Sequence, residues 1–276
     1  MHIPDTLPLF PQLDTLLLDL LRSLSPADWE RPTIAGKWRV KDVAAHLLDG
    51  NLRTIAVLRD NYFVQPHQSI DTYHDLVGYL NHLNADWVEA TRRLSPLLLI
   101  ELLSCSGPVF RECLESLDPA APAIFSVAWA GEQTSINHFH IAREYTEKWH
   151  HQQQIRLAVG QEAALYTETF YRPYLATSMR ALPHHYRTMA AEEGKLIQFT
   201  VTGAGGGDWY LLRTQGAWRL VEAGTAAPDC RTIIPGESAW RILTKGIDTA
   251  TATGQLRYEG ERTLGEHILS LTAVMA

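Results

Sequence analysis

Apolar residues recur every three or four positions through about the first 160 residues, a spacing that predicts amphipathic α-helices. The clearest case is "LPLFPQLDTLLLDLLRSL", in which leucines return to one face of a helix. The same spacing predicts helices over residues 38–61, 72–94, 96–117 and 135–159. Glycine commonly follows the last turn of a helix, so the last of these segments is predicted to end at Gly160.

Side chains suited to helix starts support two of these boundaries. Ser25 offers an oxygen to the backbone of the following residues, and Pro26 suits the first turn of a helix. Asp42 stands where an acidic side chain supports a helix start near Arg39, which itself offers no acceptor oxygen. The Pro- and Ala-rich stretch "LDPAAPAIFSVAWAGE" is predicted to be a connection.

The pattern changes near Pro183, which is predicted to end a helical stretch over residues 166–181. Short segments rich in β-branched and aromatic residues then predict strands in "KLIQFTVTG", "DWYLLRT", "AWRLVEAG" and "GQLRYEG". Helices are predicted over residues 237–245 and over the final "TLGEHILSLTAVMA". We therefore expect two domains, a helical bundle over residues 1–183 and a small α+β domain over residues 190–276.

Composition is that of an ordinary globular protein, with 46% hydrophobic and 20% charged residues. A net charge of −7 without a cluster of Lys and Arg argues against nucleic acid as a partner. The apolar run "LLLIELL" is too short to span a bilayer, and the first residues lack the order of a signal peptide. Cys105, Cys113 and Cys230 have no zinc-like spacing, so we expect reduced thiols in the cytoplasm, with Cys105 and Cys113 filling core space.

A polar stripe on the long helix is the main candidate for chemistry. His140, Glu144, Glu147 and His151 are spaced 4, 3 and 4 residues apart, so they share one helix face. The stripe has two interpretations. It is either a solvated face, which is the usual place of charged residues, or a face turned into a helical bundle. In the second case, Glu147 and His151 would supply two ligands to a cation.

A third ligand would have to come from another helix, and His46 in "DVAAHLLDG" is the best donor. Gly50 shares its helix face and would leave room beside the imidazole. A histidine in an apolar helix is, however, often no more than a core or surface residue. Two histidines and one glutamate would leave coordination positions open, as in catalytic sites. Zinc is the default cation, and the ligand types also allow nickel, manganese or iron.

Two segments of the chain together resemble the hallmarks of a known family. "ADWERPTIAGKWRVKDVAAHLLDGN" resembles the N-terminal hallmark of the mycothiol-dependent maleylpyruvate isomerase type of the DinB-like superfamily. "EKWHHQQQIRLAVG" resembles the second hallmark, commonly E-x-W-x-H-x-Q-D-I-R. The segments "GDWYLLRTQGAWRL" and "LRYEGERTLGEHIL" resemble the sterol-carrier-like domain that accompanies it. The second hallmark is matched by Glu147, Trp149, His151, Gln153, Ile155 and Arg156.

The resemblance implies a DinB-like up-down helical bundle followed by a small sterol-carrier-like α+β domain. It implies that the metal ligands are His46, Glu147 and His151, and it places His150 at a variable position. His140 and Glu144, one turn away on the helix, would be outer partners of the ligands.

The chain departs from the family pattern in two places. Gln154 stands where an Asp is usual, and Arg39 stands where a Ser or Thr cap is usual. The isomerases also use an arginine of the C-terminal domain for activity, and here Lys245 stands near the place expected for it. The lack of a placed equivalent of this arginine puts maleylpyruvate isomerisation itself in doubt for this chain.

The resemblance implies a low-molecular-weight thiol as cosubstrate, with an isomerase or S-transferase outcome, because a bound cation favours the thiolate. Arg156 would bind a carboxylate of the cofactor or substrate, or is an ordinary arginine at a helix end. Two other functions stay open. One is a metal-assisted hydrolase, with Glu144 as the only evident base, and the other is a metal-stabilised binding protein without turnover. Expected partners are a small thiol and an electrophile, with no nucleic acid and no membrane, and the chain would be a monomer or homodimer.

Overall fold

A helical region precedes a mixed five-stranded sheet with helices, which confirms the predicted fold class. The computed structural model describes residues 2–66, 69–224 and 226–273. Before the sheet lie the helices α1 (Phe10–Ser23), α2 (Pro26–Trp29), α3 (Val40–Leu58), α4 (Tyr73–Thr91), α5 (Pro96–Glu115), α6 (Asn137–Val159), α7 (Glu168–Ser178) and α8 (Leu182–His185). The C-terminal part contains β1 (Leu196–Val201), β2 (Gly207–Thr214), β3 (Ala217–Val221), β4 (Cys230–Ile234), α9 (Gly236–Leu243), α10 (Thr249–Gln255), β5 (Arg257–Gly260) and α11 (Arg262–Glu266).

The chain forms two compact units. The first comprises Thr6–Ala121 and Glu147–Glu162, and the second comprises Pro122–Thr146 and the chain from Ala163 onward, together with the first few residues. Helix α6 therefore contributes its N-terminal part to the second unit and its C-terminal part to the first. The domain boundary between residues 183 and 190 stays a prediction.

Helices α1, α3 and α5 build the core of the first unit. Helix α3 packs against α5 and α4, and α1 packs against α5. Their inward faces form one apolar cluster, which includes the fully buried Leu48 and Leu99. Ile155 of α6 belongs to the same cluster, so the C-terminal part of α6 is held in this core. Apolar burial of this kind stabilises the folded chain by about 25 cal/mol per Å².

The side chains that predicted the helix boundaries form hydrogen bonds at the helix ends in the structure. Ser25 accepts a hydrogen bond from the Asp28 N–H at 3.3 Å and begins α2. Asp42 accepts from the Arg39 N–H at 2.9 Å and supports the start of α3. Gly160 ends α6 with φ of 72°, and the N–H of Gln161 then donates to an α6 carbonyl at 2.9 Å. A left-handed glycine with this bond is a common helix end.

A buried ion pair ties α6 to α1 within the first unit. The Lys148 Nζ lies 3.0 Å from the Asp14 Oδ1, and the Lys148 and Asp14 side chains are 8% and 20% exposed. The same ammonium lies 4.6 Å from the centre of the Phe110 ring. Because Lys148 follows Glu147 directly, this pair fixes the rotation of α6 at the start of the predicted ligand segment.

Removing one partner of this pair is expected to destabilise the protein. The Asp14→Ala variant leaves the Lys148 ammonium buried without its counter-charge, which should lower the free energy of unfolding by about 2–4 kcal/mol. Urea denaturation followed by circular dichroism measures the change. Asp19→Ala is the matched control, because Asp19 lies on the same helix in an exposed pair with Arg22, and such pairs contribute little. Equal urea midpoints for the two variants would contradict the prediction.

The sheet of the second unit has the strand order β3-β2-β1-β4-β5. The central strand β1 pairs antiparallel with β2 and parallel with β4. Ile197, Phe199 and Val201 alternate on β1 and are buried, as a strand with one covered face requires. Helix α7 is fixed to this unit by Tyr171, whose hydroxyl donates to the Gly236 carbonyl at 2.6 Å and accepts from the Trp240 N–H at 3.2 Å.

Several local predictions for the C-terminal half were wrong. Strand β4 was not predicted, because it is a short segment whose pairing with β1 is non-local. Helix α10 lacks a helical apolar spacing and was also missed. Pro183 lies in the first turn of α8 instead of ending a helix, a position that proline tolerates.

The predicted final helix is shorter than expected. Helix α11 and a 3-10 turn reach only Ser270, and the chain is extended at Leu271. Residues 274–276 of the predicted helix lie outside the described residues. Cys113 is buried as predicted, whereas Cys105 is exposed and fills no core space. Within the described parts of the chain, no helix is both long and apolar enough to cross a membrane.

Candidate functional site

The polar side of α6 is turned inward. His140 and His151 are 3% and 5% exposed, so the interpretation of the stripe as a solvated face is wrong. The burial extends beyond the stripe to almost every residue after Trp149, and none of the following is more than 5% exposed: His150, His151, Gln152, Gln153, Gln154, Ile155 and Arg156. Buried polar groups favour hydrogen-bond partners, so the polar side chains of this segment depend on specific contacts with their surroundings.

The three predicted ligands lie in the first unit, and two of them are in ring contact. The His46 ring on α3 and the His151 ring on α6 are 4.5 Å apart between centroids and meet edge to face. The Glu147 Oε2 lies 3.5 Å from the His151 Nε2, one turn back on α6. The Trp38 ring lies 5.0 Å from the His46 ring. The fold thus brings His46 and His151 into contact across two helices, with Glu147 beside His151, and their role as ligands stays a prediction.

Gln154 is hydrogen-bonded to two neighbouring histidines. Its Oε1 lies 2.9 Å from the His151 Nδ1, and its Nε2 lies 2.8 Å from the His150 Nε2. The His150 and His151 rings are 5.2 Å apart. His150, which the family resemblance had left at a variable position, is therefore linked to the candidate site through one amide.

Two ring nitrogens at the site are buried without a hydrogen-bond partner, the His46 Nδ1 and the His151 Nε2. A buried imidazole nitrogen that faces a carboxylate and has no hydrogen bond is suited to a cation, and two imidazoles with one carboxylate are ordinary ligands of zinc. These side chains have the atom types that bind zinc, but they are not arranged as a complete coordination shell. In residues 2–66, 69–224 and 226–273, no group of three or more His, Cys, Asp or Glu side chains is arranged to hold a metal ion as it stands.

His46 is held in its neutral form. Burial lowers the pKa of His46 well below its usual range, and the nearby His151, Arg53 and His150 lower it further. Neutral imidazole is the form that binds metal ions. An added Cβ at Gly50, one turn further along α3, would meet no atom within 4 Å. The Gly50 position of α3 therefore has open space beside it, and room next to the His46 imidazole stays a prediction.

Arg156 is engaged with the backbone. Its guanidinium donates to the Leu16 carbonyl at 2.9 Å and to the Gln161 carbonyl at 3.2 Å. Burial lowers the pKa of this guanidinium. Arg156 thus connects α6 to α1 and to the end of its own helix. Its predicted role in holding a carboxylate stays a prediction, and these contacts do not favour it.

His140 and Glu144, the other members of the stripe, form a small network with Arg143 in the second unit. The Arg143 guanidinium donates to the His140 Nδ1 at 2.9 Å and to the Glu144 Oε1 at 2.5 Å. Burial, reinforced by the Arg143 charge, lowers the pKa of His140 to about 4. The ion pair with Arg143 makes Glu144 a weak candidate for a general base.

Sequence analysis missed two charged residues on the His46 side of α3. Asp49 and Arg53 follow His46 by three and seven residues, which places them on the same helix face. The Arg53 Nε lies 2.9 Å from the Asp49 Oδ2, and the Arg53 side chain is 41% exposed. Together with Trp87 and other residues of α4, they line an open pocket of about 310 Å³. The spacing of these residues from His46 was the signal available in the sequence.

Solved structures that resemble this chain show its fold. A histidine-to-alanine mutant of the mycothiol-dependent maleylpyruvate isomerase matches with a TM-score of 0.54 and 10% identity over 95% of both chains. Another crystal structure of the mycothiol-dependent maleylpyruvate isomerase matches with a TM-score of 0.53 and 11% identity over 88% of both chains. The "UbiJ-SCP2 Ubiquinone synthesis protein" matches 41% of this chain and 89% of its own at 16% identity. Its TM-score of 0.24 is too low to indicate a shared fold.

No curated protein matches the chain in sequence. A family profile does match, that of the mycothiol maleylpyruvate isomerase N-terminal domain, over residues 10–156. This range is more than half of the 276 residues and contains His46, Glu147 and His151. The chain therefore belongs to the family of the mycothiol maleylpyruvate isomerase N-terminal domain.

Proposed function

We propose that this protein is a divalent-metal-dependent enzyme that uses a low-molecular-weight thiol as cosubstrate, with an isomerase or S-transferase outcome. One observation carries the proposal: the His46 ring contacts the His151 ring across two helices, and the Glu147 carboxylate lies 3.5 Å from His151. Membership of the mycothiol maleylpyruvate isomerase N-terminal domain family supports the choice of a thiol, because the related solved enzyme is described as mycothiol-dependent.

The proposed ligands of the cation are His46, Glu147 and His151, with zinc as the default and nickel, manganese or iron as alternatives. A divalent cation bound there would favour the thiolate form of a thiol at neutral pH. Neighbouring side chains shield the proposed ligands from solvent. Trp38 covers one side of the His46 ring, and the low exposure of His151 keeps water away from its Nε2.

The proposed reaction begins with attack of the thiolate on an alkene conjugated to a carbonyl group. A carbon–sulfur bond forms, and the alkene electron pair moves toward the carbonyl oxygen. The former double bond then rotates. Return of the electron pair expels the same thiolate, which gives an isomerase, whereas protonation of the adduct at carbon gives an S-transferase. In both outcomes the thiol supplies the nucleophile, so activity must depend on it.

Arg53 is the side chain we propose for binding an anionic group of the electrophile. Its Nε is paired with the Asp49 carboxylate at 2.9 Å, but its side chain is 41% exposed beside an open pocket. Arg156 is less suited, since its donors are bonded to backbone carbonyls. An electrophile with a carboxylate close to its double bond fits this arrangement best.

A panel of thiols and electrophiles tests the function. We expect the zinc-loaded protein to turn over carboxylate-bearing activated alkenes only when a low-molecular-weight thiol is added, and to prefer them to the neutral esters of the same compounds. The His151→Ala variant is the matched control for adventitious thiol addition, since free thiols also react with such alkenes. Thiol-independent hydrolysis of esters would instead favour a hydrolase. Binding of thiols without any turnover would indicate a binding protein.

A further inference from the structure

We propose that Gln154 is a positioning residue that sets the proton positions of two adjacent histidines, leaving the His151 Nε2 unprotonated and making His150 part of the site. The inference deepens the proposed function, on which its metal-binding consequence rests. The proton positions themselves belong to the protein without any ligand. Three observations carry it: two hydrogen bonds to one amide, the burial of all three side chains, and the free nitrogen of His151.

The orientation of the Gln154 amide, with its Oε1 toward His151 and its Nε2 toward His150, determines the direction of both hydrogen bonds. An amide oxygen only accepts, so the His151 Nδ1, 2.9 Å from the Gln154 Oε1, must carry a proton and donate it. An amide nitrogen only donates, so the His150 Nε2, 2.8 Å from the Gln154 Nε2, must be unprotonated and accept. One side chain thus fixes which nitrogen carries the proton in each ring.

The second nitrogen of His151 completes the assignment. The His151 Nε2 is buried and has no hydrogen-bond partner, and the Glu147 Oε2 stands 3.5 Å away. A proton on this nitrogen would be a buried donor that makes no hydrogen bond. With its proton on Nδ1, His151 instead presents a lone pair on the side where Glu147 lies. Metal-binding histidines usually donate their other N–H to an outer partner in this way.

A neutral amide gives a different site from a carboxylate at the same position. A carboxylate would accept from His151 but could not donate to His150, which would then have to carry its proton on Nε2. The amide also adds no negative charge. The ligand set of His46, Glu147 and His151 therefore holds one negative charge, and a bound divalent cation would leave a net positive site that suits an anionic thiolate.

Nuclear magnetic resonance of the metal-free protein labelled with ¹⁵N-histidine, with His150 and His151 assigned by single substitution, tests the proton positions. We expect the Nδ1–H form for both rings in the wild type. In Gln154→Leu, which keeps a side chain of similar size, we expect His151 to populate the Nε2–H form. In the near-isosteric Gln154→Glu, we expect His151 to keep the Nδ1–H form and His150 to change to the Nε2–H form. An Nε2–H form of His151 in the wild type would overturn the inference.

Zinc titration of the same variants measures the consequence of the tautomer. Loss of an outer partner typically lowers metal affinity about 10–100-fold, which we expect for Gln154→Leu, while Gln154→Glu should stay within about tenfold of the wild type. A purely structural role of Gln154 would lower the unfolding midpoint of the leucine variant without changing its zinc affinity or its tautomers, and would overturn the inference. If the wild type bound no zinc, the proposed function would fail, and the resonance measurement would still decide the tautomers.

Discussion

Replacing His151 by alanine is expected to lower the zinc affinity of the protein by more than the roughly 10–100-fold that loss of an outer partner costs. The same result is expected for His46→Ala. Each change removes one of the three donors that we propose for the cation, and the remaining two side chains leave most of the coordination to water. Metal analysis after equilibration with zinc and a competing chelator measures the affinity.

Stability and specificity controls make the ligand test decisive. His82→Ala is the matched control, because His82 lies on α4 of the same unit with its side chain 74% exposed. It should bind zinc as the wild type does. The His46 and His151 variants must also keep a cooperative unfolding transition, since a misfolded bundle would lose zinc for another reason. If both folded variants bound as much zinc as His82→Ala, the proposed ligand set would be wrong.

Acid is expected to destabilise the second unit well before ordinary carboxylates become protonated. Burial lowers the pKa values of His140 and His185 to about 4, whereas an unfolded chain has histidine pKa values of about 6.5. The unfolded state therefore binds more protons between these pH values. The contribution of the two histidines to the free energy of unfolding is fully present above about pH 6.5 and is lost as the pH falls from 6.5 to 4. Between pH 7 and pH 5, each histidine should lower the free energy of unfolding by on the order of 1–2 kcal/mol.

Both histidines sit in contacts that explain why their neutral forms are preferred. Arg143 donates to the His140 ring, which must accept on Nδ1. The His185 ring stacks on the His267 ring at 4.3 Å. Its hydrogen bond to the His267 carbonyl at 2.8 Å raises the pKa of His185 and so opposes burial, which is the larger effect. Arg143 beside His140, and His267, Arg187 and Lys245 around His185, oppose an added positive charge.

Urea midpoints at pH 7 and pH 5 check this expectation. The His140→Gln and His185→Gln variants should each lose less stability on acidification than the wild type does. The exposed His82→Gln should leave the pH dependence unchanged. A wild-type protein equally stable at both pH values, or glutamine variants with an undiminished loss, would contradict the assignment of these two groups.

Sequence alone predicted those parts of the fold that local side chains determine. Ser25, Asp42 and Gly160 mark helix ends because each bonds to backbone within a few residues, so the signal lies next to the structure it produces. Strand β4 was missed for the opposite reason. Its place in the sheet depends on β1, which is distant in sequence, and five residues without an alternating polar pattern give no sign of it.

The candidate site also has features that the local sequence predicted and features that depend on distant residues. The spacing of Glu147 and His151 predicted that they share a helix face, and the family resemblance added His46 from a distant segment. The packing around them could not be predicted, because the partners are non-local. The Leu16 carbonyl that accepts from Arg156 is one example. The double hydrogen bond of Gln154 was missed for another reason: spacing does not show which ring nitrogens an amide reaches, and His150 looked like a bystander.

Helix α6 is buried on every side between His150 and Arg156, and this has a consequence for how the chain can evolve. An ordinary amphipathic helix leaves its outer positions free to drift, so neutral changes accumulate with a period of three or four residues. Between His150 and Arg156 there is no such free position, since none of these side chains is more than 5% exposed. Substitutions in this segment must arise together with changes in their partners on other helices, so its divergence from relatives should come in coupled steps and not one residue at a time.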